Sequence, residues 1–223
     1  MEAPEAADVI REAAAHEKAE HEAIERFRTR AAIMIGILAA LLAIASVGGE
    51  NATKEMLSSN IRASDAWAFY QAKNIRQTDY RLAADELEAL QLAQGPALNE
   101  AARQDIERKV ARYRATADRY ESEPDPRDPT NPLRGEGKKE LMAQAQSFEH
   151  SRDHAERQDR NFDYAKALFQ IALVLGSISI VGGSRPLLVL MIVLGSVATL
   201  LGANGFFLFF DLPGGAAIGD APH

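Results

Sequence analysis

Three stretches of this chain carry no charge, and their lengths limit where they can be placed. Ala31 to Gly49 reads AAIMIGILAALLAIASVGG, Ala167 to Ser184 reads ALFQIALVLGSISIVGGS, and Pro186 to Phe210 reads PLLVLMIVLGSVATLLGANGFFLFF. A helix crosses the hydrocarbon of a bilayer with about 20 mostly apolar residues. The third run exceeds that length and the first meets it. The second reaches it by starting at Ala165, with the Lys166 amine extended to the interface. An uncharged run as long as the third is rarely the core of a soluble protein. Ala43-Ile44-Ala45 has the form of a signal-peptide cleavage site, but the charged segment before the first run is too long for the n-region of such a peptide. The expectation is an all-α integral membrane protein with transmembrane helices at 31–49, 165–184 and 186–210.

Small residues recur at four-residue spacing inside these runs: Ala32, Gly36 and Ala40 in the first, Ala172 and Gly176 in the second, Ala198 and Gly202 in the third. Such faces let helix backbones approach closely in lipid. Arg26, Arg28 and Arg30 precede the first run, Arg185 links the second and third, and the segment from Asp211 has neither Lys nor Arg. The positive-inside rule then places the N-terminus in the cytoplasm and residues 50–164 on the other side, the periplasm of a bacterial inner membrane. Lys54, Arg62, Arg152, Arg157 and Arg160 argue the other way.

Between the first two runs the pattern is helical. Ile61, Ala68, Ile75, Leu82 and Ala89 repeat every seven residues, beside the polar row Ser64, Gln71, Thr78 and Asp85. This predicts a helix over 51–94, stopped by Gly95-Pro96. A second helix over 97–121 has the seam Leu98, Ala102, Ile106, Val110, Tyr113, Ala117 and Tyr120. Residues 122–137 carry four prolines and form a loop. A third helix over 138–164 has the seam Leu141, Ala145, Phe148, Arg152, Ala155, Asp159 and Phe162, and runs on into the second apolar run. At 1.5 Å per residue the first helix extends roughly 65 Å and the second returns about 37 Å, which makes an antiparallel helical hairpin, a coiled-coil stalk. Pairing the first helix with the third puts Asp65 near Arg152 as a polar layer of that stalk. Trp67, Ala68, Phe69 and Tyr70 spread around most of one helix, so Trp67, Phe69 and Tyr70 are expected at an oligomer interface. Residues 1–30 read as an acidic, helical N-terminal tail and 211–223 as a second tail.

Several segments together resemble a bacterial membrane family known as domain of unknown function 4337. They are Asp65-Ala66-Trp67-Ala68-Phe69-Tyr70-Gln71-Ala72-Lys73, Gly135-Glu136-Gly137-Lys138-Lys139-Glu140-Leu141, and Arg152-Asp153-His154-Ala155 followed by Leu168 to Ile180. An acidic, His-containing segment before the first run also fits. Phe69 stands where many members have Tyr. The resemblance implies the membrane location and the number of spans, and supplies no reaction, ligand or partner.

The residues themselves offer little chemistry. A net charge of −7 disfavours nucleic acid, whose binding needs concentrated Lys and Arg. The chain has no cysteine, so thiolate catalysis and thiolate metal sites are excluded. There is no GxxxxGK[ST] phosphate loop and no nucleophile elbow. His16 and His21 lie five apart, off the four-residue spacing of HExxH, although His16 with Glu20 and Glu17 with His21 keep it. His150 and His154 lie four apart, a spacing that suits zinc, with Asp65 as a third metal-ligand candidate. No cofactor or catalytic residue is expected. The leading expectation is a non-enzymatic, membrane-anchored helical scaffold in the lipid bilayer that forms a homo-oligomer or binds another membrane protein. A channel or transporter accessory subunit and a metal-binding or sensory membrane module are the alternatives.

Overall fold

The computed structural model describes residues 3–95 and 97–212, with side chains from His16 onward. These residues are all-helical. In chain order the helices are α1 (Ala3–Gln94), α2 (Glu100–Glu121), α3 (Lys138–Gly182) and α4 (Arg185–Phe207), with no strand among the described residues. α1, α3 and α4 each contain a stretch long and apolar enough to cross a membrane. The chain divides into two compact units, residues 1–53 with 155–223, and residues 54–154, so α1 and α3 contribute to both.

α1 is one continuous helix where the sequence suggests a tail, a span and a further helix. It ends at Gln94, and Gly95 begins the turn to α2, whose N-terminus is capped by the Asn99 side chain accepting from the Ala102 N–H at 2.8 Å. α4 stops three residues short of the expected end of the third run. Leu208 adopts a left-handed conformation (φ 49°), and the Asn204 side-chain oxygen accepts the Phe210 N–H at 3.1 Å while its amide donates to the Phe210 carbonyl at 2.8 Å. The polar groups of the last residues are thereby tied back to the helix they leave.

The apolar unit packs through shape. Phe162 is buried, its ring edge-on to Phe206 at 4.8 Å, and Gly48 of α1 and Gly205 of α4 make room for it. A Cβ at Gly48 would stand 2.7 Å from that ring, and one at Gly205 2.8 Å. Phe169 and Met191 fill the rest of the core against Leu38, Ala45 and Ala198. The small faces Ala172/Gly176 and Ala198/Gly202 are buried. The face formed by Ala32, Gly36 and Ala40 is not: α1 buries Ala31, Leu38, Ala45 and Ala52 instead, and nothing lies within 4 Å of a Cβ built on Gly36. Small size at i and i+4 permits close approach, but Leu38 selects the packed face by filling the space beside Gly195. The buried Asn204 donates to the Asn161 side-chain oxygen at 2.8 Å, and the half-buried Thr53 donates to Asp159 at 2.8 Å. Lys166 forms an ion pair with Asp163 at 2.6 Å.

In the second unit, α2 and the start of α3 lie antiparallel to the Lys54–Gln94 part of α1. Moving along α1, Gln77 meets Ala117, Glu88 meets Arg114 and Gln91 meets Glu107. On α3, Trp67 meets Glu149 and Gln77 meets Lys138. The seam expected for α2 faces inward, with Ile106 and Val110 buried against Ala84 and Leu87, Ala117 buried beside Gln77, and Tyr113 and Tyr120 against Tyr80. The face of α1 that they meet is the unexpected one. It runs through Ser59, Ala63, Ala66, Tyr70, Lys73, Gln77, Tyr80, Ala84 and Leu87, all buried or half-buried and spaced alternately four and three apart. The more conspicuous repeat, Ile61, Ala68, Ile75, Leu82 and Ala89, is exposed throughout.

Candidate functional site

The densest set of side-chain interactions in residues 54–154 lies where α1, the proline-rich loop and the start of α3 meet. Gln77 is buried on α1, and its amide nitrogen donates to the Ala117 carbonyl at 2.9 Å and to Glu121 at 3.0 Å. Its oxygen accepts from the Lys138 ammonium at 2.8 Å, and that ammonium also reaches Glu121 at 3.3 Å and lies 5.6 Å from the centre of the Tyr70 ring. Four turns of chain are thus joined through one amide, which offers a donor and an acceptor where a charged residue offers only one kind.

A second knot fixes the loop. The buried Glu140 carboxylate accepts the Ser122 hydroxyl at 2.7 Å and the Glu123 backbone N–H at 3.1 Å. Gly135 has φ +125°, a left-handed conformation that side chains disfavour, and its neighbour Glu136 donates its N–H to the Glu123 carbonyl at 2.9 Å. At Gly137 a Cβ would collide with Glu123 and with the Glu140 carboxylate. Gly-Glu-Gly-Lys-Lys-Glu is therefore a structural clasp: the glycines admit the backbone, Lys138 holds Gln77 and Glu140 holds the loop. Beside it, Lys73 pairs with Glu123 at 3.2 Å and lies over the Tyr120 ring.

Two carboxylates here are held below the usual range. For Glu121 the leading cause is the hydrogen bond from Gln77, which outweighs partial desolvation. For Glu140 desolvation pushes upward, and the bonds from the Ser122 hydroxyl and the Glu123 N–H outweigh it. Both are anionic at neutral pH and engaged in holding helices together. Among the described residues no buried side-chain nitrogen or oxygen lacks a hydrogen-bond partner.

The residues singled out from sequence are distributed differently from the expectation. Asp65 and Arg152 do not form a polar layer. Asp65 is exposed, and the Arg152 guanidinium donates to its neighbour Asp153 at 2.8 and 2.9 Å. His150 and His154 are exposed, and among the described residues no group of three His, Asp or Glu side chains is placed to hold a metal ion, so Asp65, His150 and His154 are not gathered. The expected interface trio is split. Trp67 donates its indole N–H to Glu149 at 2.9 Å and Tyr70 packs edge-on against it at 5.6 Å, both half-buried, whereas Phe69 points outward. Gln77 and Glu140 were missed, and the only signal for Gln77 was its place in the four-three row between Lys73 and Tyr80.

No curated protein and no solved structure matches this chain. The family model described as a domain of unknown function, 4337, matches residues 27–208. Those bounds take in the apolar segments, the clasp and the Trp67 stretch, and the chain belongs to that family.

Proposed function

We propose that this protein is a membrane-anchored helical scaffold, held in a bacterial inner membrane by three spans, whose polar unit associates with protein. The observation that carries this reading is the placement of large aliphatic side chains. In the apolar segments they point outward on many sides, as with Ile33, Ile37, Ile44, Val174, Val193 and Leu200, a surface suited to lipid. On the polar unit Leu57, Ile61, Ile75, Leu82 and Leu92 form a row along α1, on the side away from its internal packing, a surface suited to another helix. The internal polar groups support the same reading, since Gln77, Lys138 and Glu121 bond to one another and Glu140 holds Ser122 and Glu123, so these groups serve to join the helices.

The N-terminus lies in the cytoplasm and the polar unit in the periplasm, on the strength of Arg26, Arg28 and Arg30. Reporter fusions at Gly95 and at His223 test the span count and the orientation. Non-cytoplasmic signal at both sites is expected. Cytoplasmic signal at both reverses the orientation, and opposite signals remove a span. Purification in mild detergent with mass spectrometry tests the scaffold reading: it requires more than one copy or a stoichiometric protein partner, and a lone monomer contradicts it.

A further inference from the structure

The outward row of α1 is more regular than a scatter of exposed apolar residues. Ile61, Ala68, Ile75, Leu82 and Ala89 are seven apart, and a second set begins at Leu57, continues through Ser64, Gln71, Thr78 and Asp85, and ends at Leu92. Merged, the two sets alternate by four and three residues over ten turns. That is the spacing by which one helix meets another along a left-handed supercoil. Leu57, Ile61, Ile75 and Leu82 are 53 to 62% exposed. The row lies across the helix from the internal seam, since Gln77 follows Ile75 by two residues, about 200° around the axis. α1 thus carries two rows at coiled-coil spacing, and the described residues cover only one.

We propose that the outer seam of α1 is covered by a second copy of this chain, parallel and in register. This rests on the scaffold reading and names its partner. The flanking charges select both the copy and its direction. With Ile61, Ile75 and Leu82 at the first core position, the residues just before them are Asn60, Asn74 and Arg81, and the residues four beyond them are Asp65, Asp79 and Glu86. All six are exposed. In a parallel, in-register pair each residue of the first group faces the partner residue five further on. Asn60 then meets the partner's Asp65, Asn74 the partner's Asp79, and Arg81 the partner's Glu86, so every flanking donor faces a carboxylate. In an antiparallel pair the acidic group would face its own kind, with Asp65, Asp79 and Glu86 brought together and no cation among them. Gln71 and Thr78 meet their equivalents and fix the register as polar layers. Asp85, the one acid in the core row, has the Arg114 guanidinium 3.9 Å away to offset its charge. Two copies inserted in one bilayer with the same sidedness also run parallel.

The chain has no cysteine, so single cysteines report on this seam without background. Ile61→Cys, Ile75→Cys and Leu82→Cys replace exposed side chains, and Arg76→Cys, about 100° round from Ile75, is the control. Under mild oxidation in membranes, each of the three is expected to give a disulfide-linked dimer with itself, at tenfold or greater yield than the control. Glu86→Arg should lower the Leu82→Cys yield several-fold, and adding Arg81→Glu should restore it. Equal yield at Arg76→Cys, or dimer at only one of the three, overturns the parallel seam. The mass of the wild-type protein in lipid nanodiscs separates this failure from that of the scaffold reading. More than one copy with no cross-link at the three positions sinks the seam alone, and a single copy without a protein partner sinks both.

Discussion

The two units reach a packed core by opposite routes. In residues 1–53 with 155–223 most of the core is held by fit: the Phe162 ring sits against Gly48 and Gly205 and Leu38 fills the space beside Gly195, while the buried Asn161, Ser179 and Asn204 are hydrogen-bonded at its edges. In residues 54–154 the central contacts are hydrogen bonds, with Gln77 shared among three groups and Glu140 accepting twice. The difference follows from what each unit must compete with. On the proposed membrane reading the apolar unit packs among lipid chains, where helices gain no hydrophobic driving force by associating, so close van der Waals contact at small residues decides the packing. On the same reading the polar unit stands in water, where a seam rich in alanine buries little apolar area and buried polar pairs fix which faces meet.

Substitutions at four positions would break or sharpen that contrast. The largest expected effect is Phe162→Ala, which removes the side chain that several glycines were shaped around. It should cost about 3–5 kcal/mol, read as the thermal unfolding of the detergent-solubilised protein. A loss below about 1 kcal/mol would mean that fit at this ring does not hold the apolar unit. Next is Glu140→Ala, which leaves the Ser122 hydroxyl and the Glu123 N–H without their anionic acceptor. Loss of about 2–3 kcal/mol is expected, confined in hydrogen exchange to residues 54–154.

Glu140 also gives the polar unit a pH signature. Its folded-state pKa is lowered, as is that of Glu121, so the stabilisation is complete above the ordinary carboxylate range, near about 4.3, and is lost as pH falls through the lowered values. Stability of this unit should be level from neutral pH down to about 5 and decline below about 4, and Glu140→Gln should flatten the decline. A decline unchanged in that variant would assign it to other carboxylates. Gln77→Ala follows, at about 1–3 kcal/mol, because it leaves Lys138 with one acceptor fewer and the Ala117 carbonyl without its side-chain donor. Ile75→Ser is the smallest: on an exposed position it should change the stability of the single chain by less than about 0.5 kcal/mol while weakening association. A large loss of monomer stability would place Ile75 in the chain's own core.

The sequence made some of this legible and hid the rest for identifiable reasons. The three apolar helices and the breaks at Gln94 and Glu121 follow from uncharged length and from Gly and Pro, signals that do not depend on partners. The α2 seam was readable because Ile106, Val110 and Tyr113 are large and apolar and have one face to cover. On α1 the same logic pointed to the wrong side for internal packing. Most of its exposed aliphatics lie on the outward face, while the seam used within the chain interleaves Tyr70, Tyr80 and Leu87 with Ala63, Ala66, Lys73, Gln77 and Ala84, residues that carry little hydrophobic weight. The sequence assigns Trp67 and Tyr70 to an oligomer interface because the Glu149 and Lys138 groups that meet them within the chain lie 82 and 68 residues away. The Asp65–Arg152 pair failed on a shorter scale, since Arg152 finds a carboxylate at the very next residue.

The most direct test of the account is the mass of the intact protein in lipid nanodiscs, compared between wild type and a variant carrying Ile75→Asp and Leu82→Asp. The account predicts a mass of at least two chains for the wild type and of one chain for the variant, with helix content unchanged. A wild-type mass of one chain with no bound protein, or an oligomer that survives both substitutions, would contradict it.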